Sequence, residues 1–335
     1  MERLRDLDEA SLLARILPIY DGLGTPHADV LVGAGDDAAV LAAPGGSVVV
    51  TTDGMVRDLD WRDEWSSGHD VGVKVAVSNI ADVAAMGAVP TGLVVSLVAD
   101  PDTALDWTLD LARGIASVAA EAGTPVVGGD LSAGPPGVVS VTVTATGDLG
   151  GRAPVLRSGA RPGDVVAVCG SLGRSGGGLE VLRRGHPVRG AAAALVRDHL
   201  APRTPWRSGP VAADAGAHAL VDVSDGLVTD LGRVARAAGV RIDLDEGVLR
   251  SGFAEGPLTD VLGRDEALVQ VLTGGEEHSL VGCFPPAADL GALAGPPWVV
   301  VGTVRQARGS GPVVTLDGRE PDADGWDHFA PGRSR

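Results

Sequence analysis

The residues of this sequence with the clearest chemical potential are aspartates, several of which lie beside glycine or at the ends of β-rich runs. Strand ends next to glycine turns can place several side chains around one cleft. These aspartates are Asp36 and Asp37 in GAGDDAAV, Asp53 at the end of VVVTTD, Asp82 in VSNIADVAAMG, Asp130 after VVGG, and Asp222 and Asp225 in VDVSDG.

Carboxylates that gather in one cleft repel one another unless bound cations offset their charge. Ligands that are all oxygen, such as carboxylates, backbone carbonyls and the hydroxyls of Thr51 and Thr52, select hard ions such as Mg²⁺. Because Mg²⁺ is usually shared with substrate phosphates, the pattern favours phosphoryl transfer over redox or acyl chemistry. Each aspartate alone could equally belong to a turn, and Ser224 and Asp225 could cap the helix that follows them.

The composition excludes several other classes of protein. The chain has 335 residues, a formal net charge of −17 and 44% hydrophobic residues, which suffices for a core in one large or two ordinary domains. The acidic balance argues against nucleic acid or an anionic membrane as a partner. No apolar run approaches the ~20 residues that cross a bilayer, and the N-terminus has no apolar signal core, so we expect a cytoplasmic protein.

Single residue types exclude three common kinds of site. The only lysine, Lys74, lies in HDVGVKVAV, which is not a Walker-type nucleotide loop. Two cysteines, Cys169 and Cys283, cannot form a four-ligand zinc site, and the seven histidines are scattered without a metal-binding motif. The run RSGGGLEVLRR at 174–184 could be a phosphate loop, but it lacks the Lys-Ser/Thr end and is better explained as a loop that starts a helix.

Hydrophobic periodicity predicts an α+β or α/β chain in which helices and strands alternate. Helices are predicted after SLGRSGGG and over 8–20, 68–87, 103–122, 190–199, 205–217 and 227–238. Strands, some leading into turns, are predicted over 47–53, 91–99, 124–130, 138–148, 164–170, 218–226, 240–244, 278–284 and 297–304. Gly123 is expected to end its helix in a left-handed conformation. The stretch 150–164, rich in Gly, Pro and Arg, is the best candidate for a domain junction, which divides the chain into 1–150 and 151–335.

Eight segments, taken together and in order, resemble thiamine-monophosphate kinase. This family belongs to a superfamily of glycine-rich ATP-using enzymes that includes aminoimidazole ribonucleotide synthetase. The segments span nearly the whole chain. Each segment alone is weak evidence for the family, but eight segments in this order are a specific signal. They are GAGDDAAVL, TTDGMV, VGVKVAVSNIADVAAMGAVP, VVGGD, GRAPVLRSGARPGD, VDVSDGLVTDLGRVA, LTGGEEHSL and GWDHF.

The resemblance implies an N-terminal mixed-sheet domain that pairs with its twin in a homodimer, a C-terminal α/β domain, and ATP and Mg²⁺ between the two. The positions that match magnesium ligands are Asp37, Thr51, Thr52, Asp53, Asp82, Asp130, Asp222 and Asp225. The last five aspartates would be catalytic through the ions that they hold. The positions that match ATP contacts are Gly129, Asp130, Arg157 and Ser224. Those that match the surroundings of thiamine monophosphate are Asp60, Glu276 and Trp326.

The resemblance also implies the reaction: a phosphate oxygen of thiamine monophosphate attacks the γ-phosphoryl group of ATP in line, giving thiamine diphosphate and ADP. The second pKa of a phosphate monoester is about 6, so the nucleophile needs no general base at neutral pH. Arg157 could add a cation over the ATP phosphates, while Glu276 would face the cationic thiamine and Trp326 could stack on it.

Two departures from the family pattern bear on the substrate. Asp60 stands where the family usually has histidine, and an acid there should weaken binding of a phosphate unless a metal or Arg57 compensates. Glu277 stands where the family has aspartate. Two alternatives stay open: another ATP-using synthetase of the superfamily, or a nucleotide-binding dimer that has lost catalysis.

Overall fold

The computed structural model of the chain describes residues 2–20, 29–32, 39–307 and 313–321. These residues form two compact units. The first unit contains the described residues up to Val83 together with Val89–Gly151, and the second contains Ala84–Ala88 and the described residues from Arg152 onward. None of the described helices is both long enough and apolar enough to span a bilayer.

The helices and strands alternate along the chain. The helices are α1 (Glu9–Tyr20), α2 (Gly68–Ala85), α3 (Leu105–Ala122), α4 (Arg174–Arg183), α5 (Ala191–Leu200), α6 (Ser208–Asp214), α7 (Leu227–Ala238), α8 (Glu246–Leu249), α9 (Pro257–Leu262) and α10 (Arg264–Thr273). The strands are β1 (Val30–Val32), β2 (Val40–Leu41), β3 (Val49–Val56), β4 (Val89–Ala99), β5 (Val126–Ala133), β6 (Val139–Asp148), β7 (Val165–Cys169), β8 (Ala219–Asp222), β9 (Val240–Leu244), β10 (Leu280–Phe284), β11 (Trp298–Gln306) and β12 (Val314–Leu316).

The first unit is built on a four-stranded sheet with the order β3-β6-β4-β5, in which only β4 and β5 run parallel. Strand β6 alternates buried valines with half-buried threonines and serine, as the two-residue repeat of a strand requires. Its buried residues lie on the face that α2 covers, because Ala145 is the cross-strand neighbour of Thr51, which contacts α2. On the opposite face, Val50 is 64% exposed and Val94 is 39% exposed.

Helices α2 and α3 approach each other closely at glycines. A Cβ atom on Gly72 would collide with the carbonyl oxygen of Leu111, and one on Gly114 would collide with that of His69. The absence of side chains at these points lets the two backbones touch. This contact fixes α2, and with it the residues that α2 presents to β3.

The second unit is built on a six-stranded sheet with the order β12-β9-β11-β7-β10-β8, antiparallel except for the pair β12 and β9. Every residue of β8 and β10 is buried, as expected of strands that are covered on both faces. The core includes Val166, Val221, Leu231 and Val281. The ends of β8 and β10 carry the candidate site residues of this unit.

The prediction of a two-domain α+β fold is confirmed, and most predicted elements are present. Gly123 has φ of 64° and ends α3 as expected. The predicted helix over 205–217 is shorter, because α6 spans only Ser208–Asp214 between a turn and the left-handed Gly216. The sequence did not predict β1, β2, β12, α8, α9, α10 or the π-helical turn Arg250–Ala254.

Candidate active site

The first group of candidate residues lies where β3 meets α2. The Thr51 hydroxyl donates a hydrogen bond to Asp82 Oδ2 over 2.7 Å. The backbone N–H of Asp53 donates to Asn79 Oδ1 over 3.0 Å, and Asn79 in turn donates to the carbonyl oxygen of Val75. The structure therefore brings Thr51, Asp53 and Asp82 to the same side of the sheet, with Asn79 holding the strand and the helix in register.

Thr52 lies on the other face of the same strand. Its hydroxyl donates to the carbonyl oxygen of Val143 and accepts from Thr144 Oγ1, both over 3.1 Å. Successive side chains of a strand point to opposite faces, so the side chains of Thr51 and Thr52 cannot share one site. The hydroxyl of Thr52 is not brought to Asp82.

Asp130 lies on β5, at the border of a cavity of the first unit. Its Oδ2 accepts a hydrogen bond from the Ser132 hydroxyl over 2.9 Å. The cavity, of about 770 Å³, lies between α1, α3 and the strands β4 and β5, and its lining includes Tyr20, Leu111, Gly129 and Asp130. Its lining is largely apolar, with a carboxylate at one border, a composition suited to a flat ring beside a cation.

The second group lies in the loop that connects β8 to α7. Asp230, on the buried side of α7, accepts hydrogen bonds at Oδ2 from the backbone N–H groups of Ser224 and Asp225, both over 3.0 Å. Arg233 donates to Asp230 Oδ1 over 2.5 Å and to Asp225 Oδ2 over 2.6 Å. His278 Nδ1 lies 3.1 Å from Asp222 Oδ2. The end of β8, the connecting loop and α7 thus bring three carboxylates, those of Asp222, Asp225 and Asp230, near one another. We call this segment, 222–230, the acidic loop.

The charge of this loop alters the titration of Asp230. The pKa of Asp230 is raised to about 7, mainly by burial and also by the carboxylates of Asp222 and Asp225. The Asp225 N–H and the Arg233 guanidinium act in the opposite direction. Asp230 is therefore a group whose charge depends on the cations beside it.

Three consecutive residues before β10 reach three different elements of the second unit. Glu276 and His278 both have left-handed backbones, with φ of 59° and 52°, and their N–H groups bond to the carbonyl oxygens of Ser224 and Val223 over 2.8 Å. The carboxylate of Glu276 lies 3.7 Å from His199 on α5, while His278 reaches Asp222. Strained residues of this kind persist where the surroundings fix them, often at functional sites.

The middle residue of the three, Glu277, occupies the N-terminus of α4. Its Oε1 accepts from the Ser175 N–H over 2.6 Å, and its Oε2 accepts from the Ser171 hydroxyl over 2.9 Å. Burial raises the pKa of Glu277 to about 7, although these two donors lower it in part. The prediction that 174–184 starts a helix is confirmed, but the loop expected at its glycines is wrong, because Arg174–Arg183 is helical throughout. The anion at this helix end is a side chain of the protein itself.

Two of the remaining predicted contacts with nucleotide or substrate, Asp60 and Arg157, lie within the described residues. Asp60 Oδ2 accepts from the backbone N–H of Val56 over 2.9 Å. Arg57, suggested as its compensating cation, instead pairs with Asp63 over 3.3 Å and lies over the Trp107 ring. Arg157 is exposed in a short 3-10 turn. Asp37 and Trp326 lie outside the described residues.

Three histidines of the second unit contact polar side chains. His199 Nδ1 lies 3.2 Å from the Ser175 hydroxyl. His218 Nδ1 lies 3.0 Å from Asp164 Oδ1. His278 contacts Asp222, as described above.

Both groups offer oxygen donors that suit Mg²⁺, but the described residues do not form a complete metal site by themselves. Among those residues, no three His, Cys, Asp or Glu side chains are grouped so that they could hold a metal ion alone. The donors at both groups are carboxylate and hydroxyl oxygens, which suit Mg²⁺. Because Mg²⁺ is commonly held by one or two carboxylates plus substrate phosphates, this donor set fits an ion that arrives with a nucleotide.

Sequence reasoning did not single out Asn79, Asp230 or Arg233, and it gave His278 no role at the acidic loop. A signal existed for two of them, because Asp230 and Arg233 are three residues apart on a predicted helix and such pairs are neighbours. Their contact with Asp225 depends on the turn at Gly226, which periodicity does not describe. The partner of His278 lies 56 residues away in sequence.

Comparison with known proteins gives a consistent result. Residues 35–149 match the N-terminal domain, and residues 161–314 the C-terminal domain, of the AIR synthase related proteins. The thiamine-monophosphate kinase of Mycobacterium tuberculosis is 42% identical over 329 residues, 97% of this chain and 93% of that protein. The solved thiamine-monophosphate kinase of Stenotrophomonas maltophilia is 30% identical with a TM-score of 0.81, covering 93% of this chain and 98% of its own. AaThiL complexed with AMPPCP and TMP is 25% identical with a TM-score of 0.75, covering 98% and 99%.

Proposed function

Because the chain carries both AIR synthase related domains and belongs to the thiamine-monophosphate kinase family, we propose that it phosphorylates thiamine monophosphate with ATP. The products are thiamine diphosphate and ADP. The observation that carries this proposal is the similarity to thiamine-monophosphate kinases along almost the whole chain. A cytoplasmic location stays a prediction from the sequence.

The reaction joins two anions, so the enzyme must above all offset charge and align the reacting groups. A phosphate oxygen of thiamine monophosphate attacks the γ-phosphorus of ATP, and the bond from that phosphorus to the β–γ bridging oxygen breaks. The attacking oxygen is mostly ionised at neutral pH, because its pKa is about 6. The side chains therefore need to position the phosphates and need not remove a proton.

The acidic residues are proposed to act by holding divalent cations against the phosphates. Bound Mg²⁺ would neutralise phosphate oxygens and reduce the repulsion between the two substrates. Asp53 and Asp82, with the Thr51 hydroxyl, supply oxygen donors at the junction of β3 and α2. Asp222 and Asp225 supply donors in the loop after β8. Asp37 and Asp130 remain proposed ligands from the resemblance. Thr52 remains one through its backbone carbonyl oxygen, because its side chain lies on the opposite face of β3.

The nucleotide is proposed to use the cavity beside β5. Gly129 and Asp130 line this cavity, and both match ATP-contact positions in the family pattern. The apolar part of the lining, which includes Tyr20 and Leu111, suits an adenine ring, since aromatic and aliphatic side chains pack on flat rings. Arg157 and Ser224 are proposed to contact ATP as the resemblance implies.

The substrate residues are proposed from the resemblance and from charge. Glu276 carries a carboxylate that can attract the cationic thiamine, and Trp326 can stack on its rings. Asp60 is proposed to lie beside the substrate. Its bond to the Val56 N–H orients the carboxylate within its own turn, so a phosphate nearby would meet a fixed negative charge.

A homodimer is proposed through the open face of the four-stranded sheet. Val50, 64% exposed, lies on this face beside the threonines Thr52 and Thr144. Exposed valines on a sheet face favour burial against a second surface. Replacement of Val50 by Asp should shift the chain to monomer in analytical ultracentrifugation, whereas a dimer unaffected by Val50→Asp would place the interface elsewhere.

A coupled assay of ADP release tests the function. ADP release should require both thiamine monophosphate and Mg²⁺, and the product should be thiamine diphosphate by chromatography. Asp53→Asn should lower turnover by orders of magnitude, while Asp106→Asn, an exposed aspartate of α3, loses the same charge and should leave turnover unchanged. Binding of Mg-ATP without turnover of thiamine monophosphate would contradict the proposal and favour a dimer that has lost catalysis.

A further inference from the structure

The guanidinium of Arg233 joins two carboxylates that belong to different parts of the acidic loop. Its Nη2 donates to Asp225 Oδ2 over 2.6 Å and its Nη1 donates to Asp230 Oδ1 over 2.5 Å. Asp230 in turn fixes the backbone of Ser224 and Asp225 through its other oxygen. Arg233 therefore neutralises Asp225 at the same time as it supports the residue that shapes the loop.

The contacts of Arg233 with Asp230 and with Asp225 differ in their exposure to solvent. The side chain of Asp230 is 1% exposed, while that of Asp225 is 14% exposed and that of Arg233 is 37% exposed. The guanidinium uses separate nitrogens for the two acids, so it can keep Asp230 and release Asp225 by a small rotation. The contact with Asp225 is therefore the one that a cation from solvent can reach.

From this geometry we propose that Arg233 is a built-in counter-ion that holds Asp225 when no divalent cation is bound and competes with that cation for the Asp225 carboxylate. The inference rests on the proposed function, in which Asp225 is a magnesium ligand. Arg233 is thus a positioning residue that sets the affinity of the loop for metal. It also prevents three neighbouring carboxylates from repelling one another in the metal-free protein.

The competition has a measurable consequence. A hydrogen bond between charged groups contributes roughly 1.5–3 kcal/mol, and removing the competing guanidinium also removes a positive charge beside the incoming ion. Replacement of Arg233 by Gln should therefore tighten divalent cation binding about tenfold or more. The same replacement should lower the melting temperature without metal, and added Mg²⁺ should raise it by more than in the natural protein.

The experiment measures Mn²⁺ binding by electron paramagnetic resonance and Mg²⁺-dependent melting on the full chain. The matched control is Arg236→Gln, which removes the same charge from the exposed surface of the same helix and should leave both readings unchanged. Arg233→Lys keeps the charge but cannot bridge two carboxylates in a fixed fork, and should give an intermediate affinity. If Arg233→Gln is unfolded without metal, the Mn²⁺ affinity of Arg233→Lys tests the inference instead. An affinity above that of the natural chain supports the inference, and an equal affinity overturns it.

Two outcomes separate this inference from the proposed function. If Asp225→Asn binds Mn²⁺ as well as the natural chain does, the metal role of Asp225 fails and the inference fails with it. If Asp225→Asn weakens Mn²⁺ binding but Arg233→Gln behaves as Arg236→Gln does, the metal role stands and the counter-ion role of Arg233 is overturned. Tighter binding by Arg233→Gln alone supports the inference.

Discussion

The buried carboxyl of Glu277 should make the folded chain less stable as the pH rises. Its pKa rises from an ordinary 4.5 to about 7 because burial penalises the charged form. The folded protein therefore retains this proton in a pH range where the unfolded chain has lost it. The contribution to stability is complete below pH 4.5 and is lost as the pH rises to about 7.

The size of the effect follows from the same two values. Each pH unit between them changes the free energy of unfolding by ~1.4 kcal/mol, which gives about 3 kcal/mol over the whole interval. Glu277→Gln removes the titration and keeps the shape of the side chain. Its amide oxygen can accept from the Ser175 N–H, and its amide nitrogen can donate to the Ser171 hydroxyl, so both contacts survive.

Chemical denaturation of both proteins across this pH range measures the difference. Glu277→Gln and the natural chain should have similar stability near pH 4.5, and the variant should be more stable by up to about 3 kcal/mol above pH 7. Glu255→Gln, at an exposed glutamate, is the control and should show no such trend. A stability difference between Glu277→Gln and the natural chain that stays constant with pH would refute the reasoning.

Three further changes have defined outcomes. Asp60→Asn keeps an acceptor for the Val56 N–H and removes a negative charge, so the KM for thiamine monophosphate should fall severalfold at unchanged kcat; an unchanged KM puts Asp60 outside the pocket. Gly114→Ala should lower the free energy of unfolding by about 3 kcal/mol, because its Cβ meets the His69 carbonyl; urea unfolding measures this, and a loss below about 0.5 kcal/mol contradicts it. Removal of divalent cations with EDTA should abolish ADP release, and activity that persists contradicts the metal role.

Local pattern was sufficient to predict much of the fold. Strand β6 was predictable because valines alternate with serine and threonines, and α3 because an amphipathic run ends at Gly123. The stretch from 246 to 273 was not predicted, because three short helices and a π-helical turn are interrupted by Gly252, Gly256 and Gly263, and no long periodic run remains. Short elements of this kind are set by tertiary packing.

The composition of the candidate site was predictable to a smaller extent. Thr51 and Asp82 were predicted as ligands individually, but their contact over 2.7 Å depends on which face of β3 is covered by α2. The opposite orientation of the Thr52 side chain follows from the two-residue repeat of a strand. The pairing of Arg233 with Asp225 required the conformation of the turn at Gly226.

The segment before β10 has a consequence for how the chain can vary. Glu276, Glu277 and His278 follow one another directly, yet each meets a partner on a different element. Insertion or deletion of one residue would move every side chain into its neighbour's position and break all three contacts at once. We therefore expect natural variants to change residue types in this segment while its length stays constant.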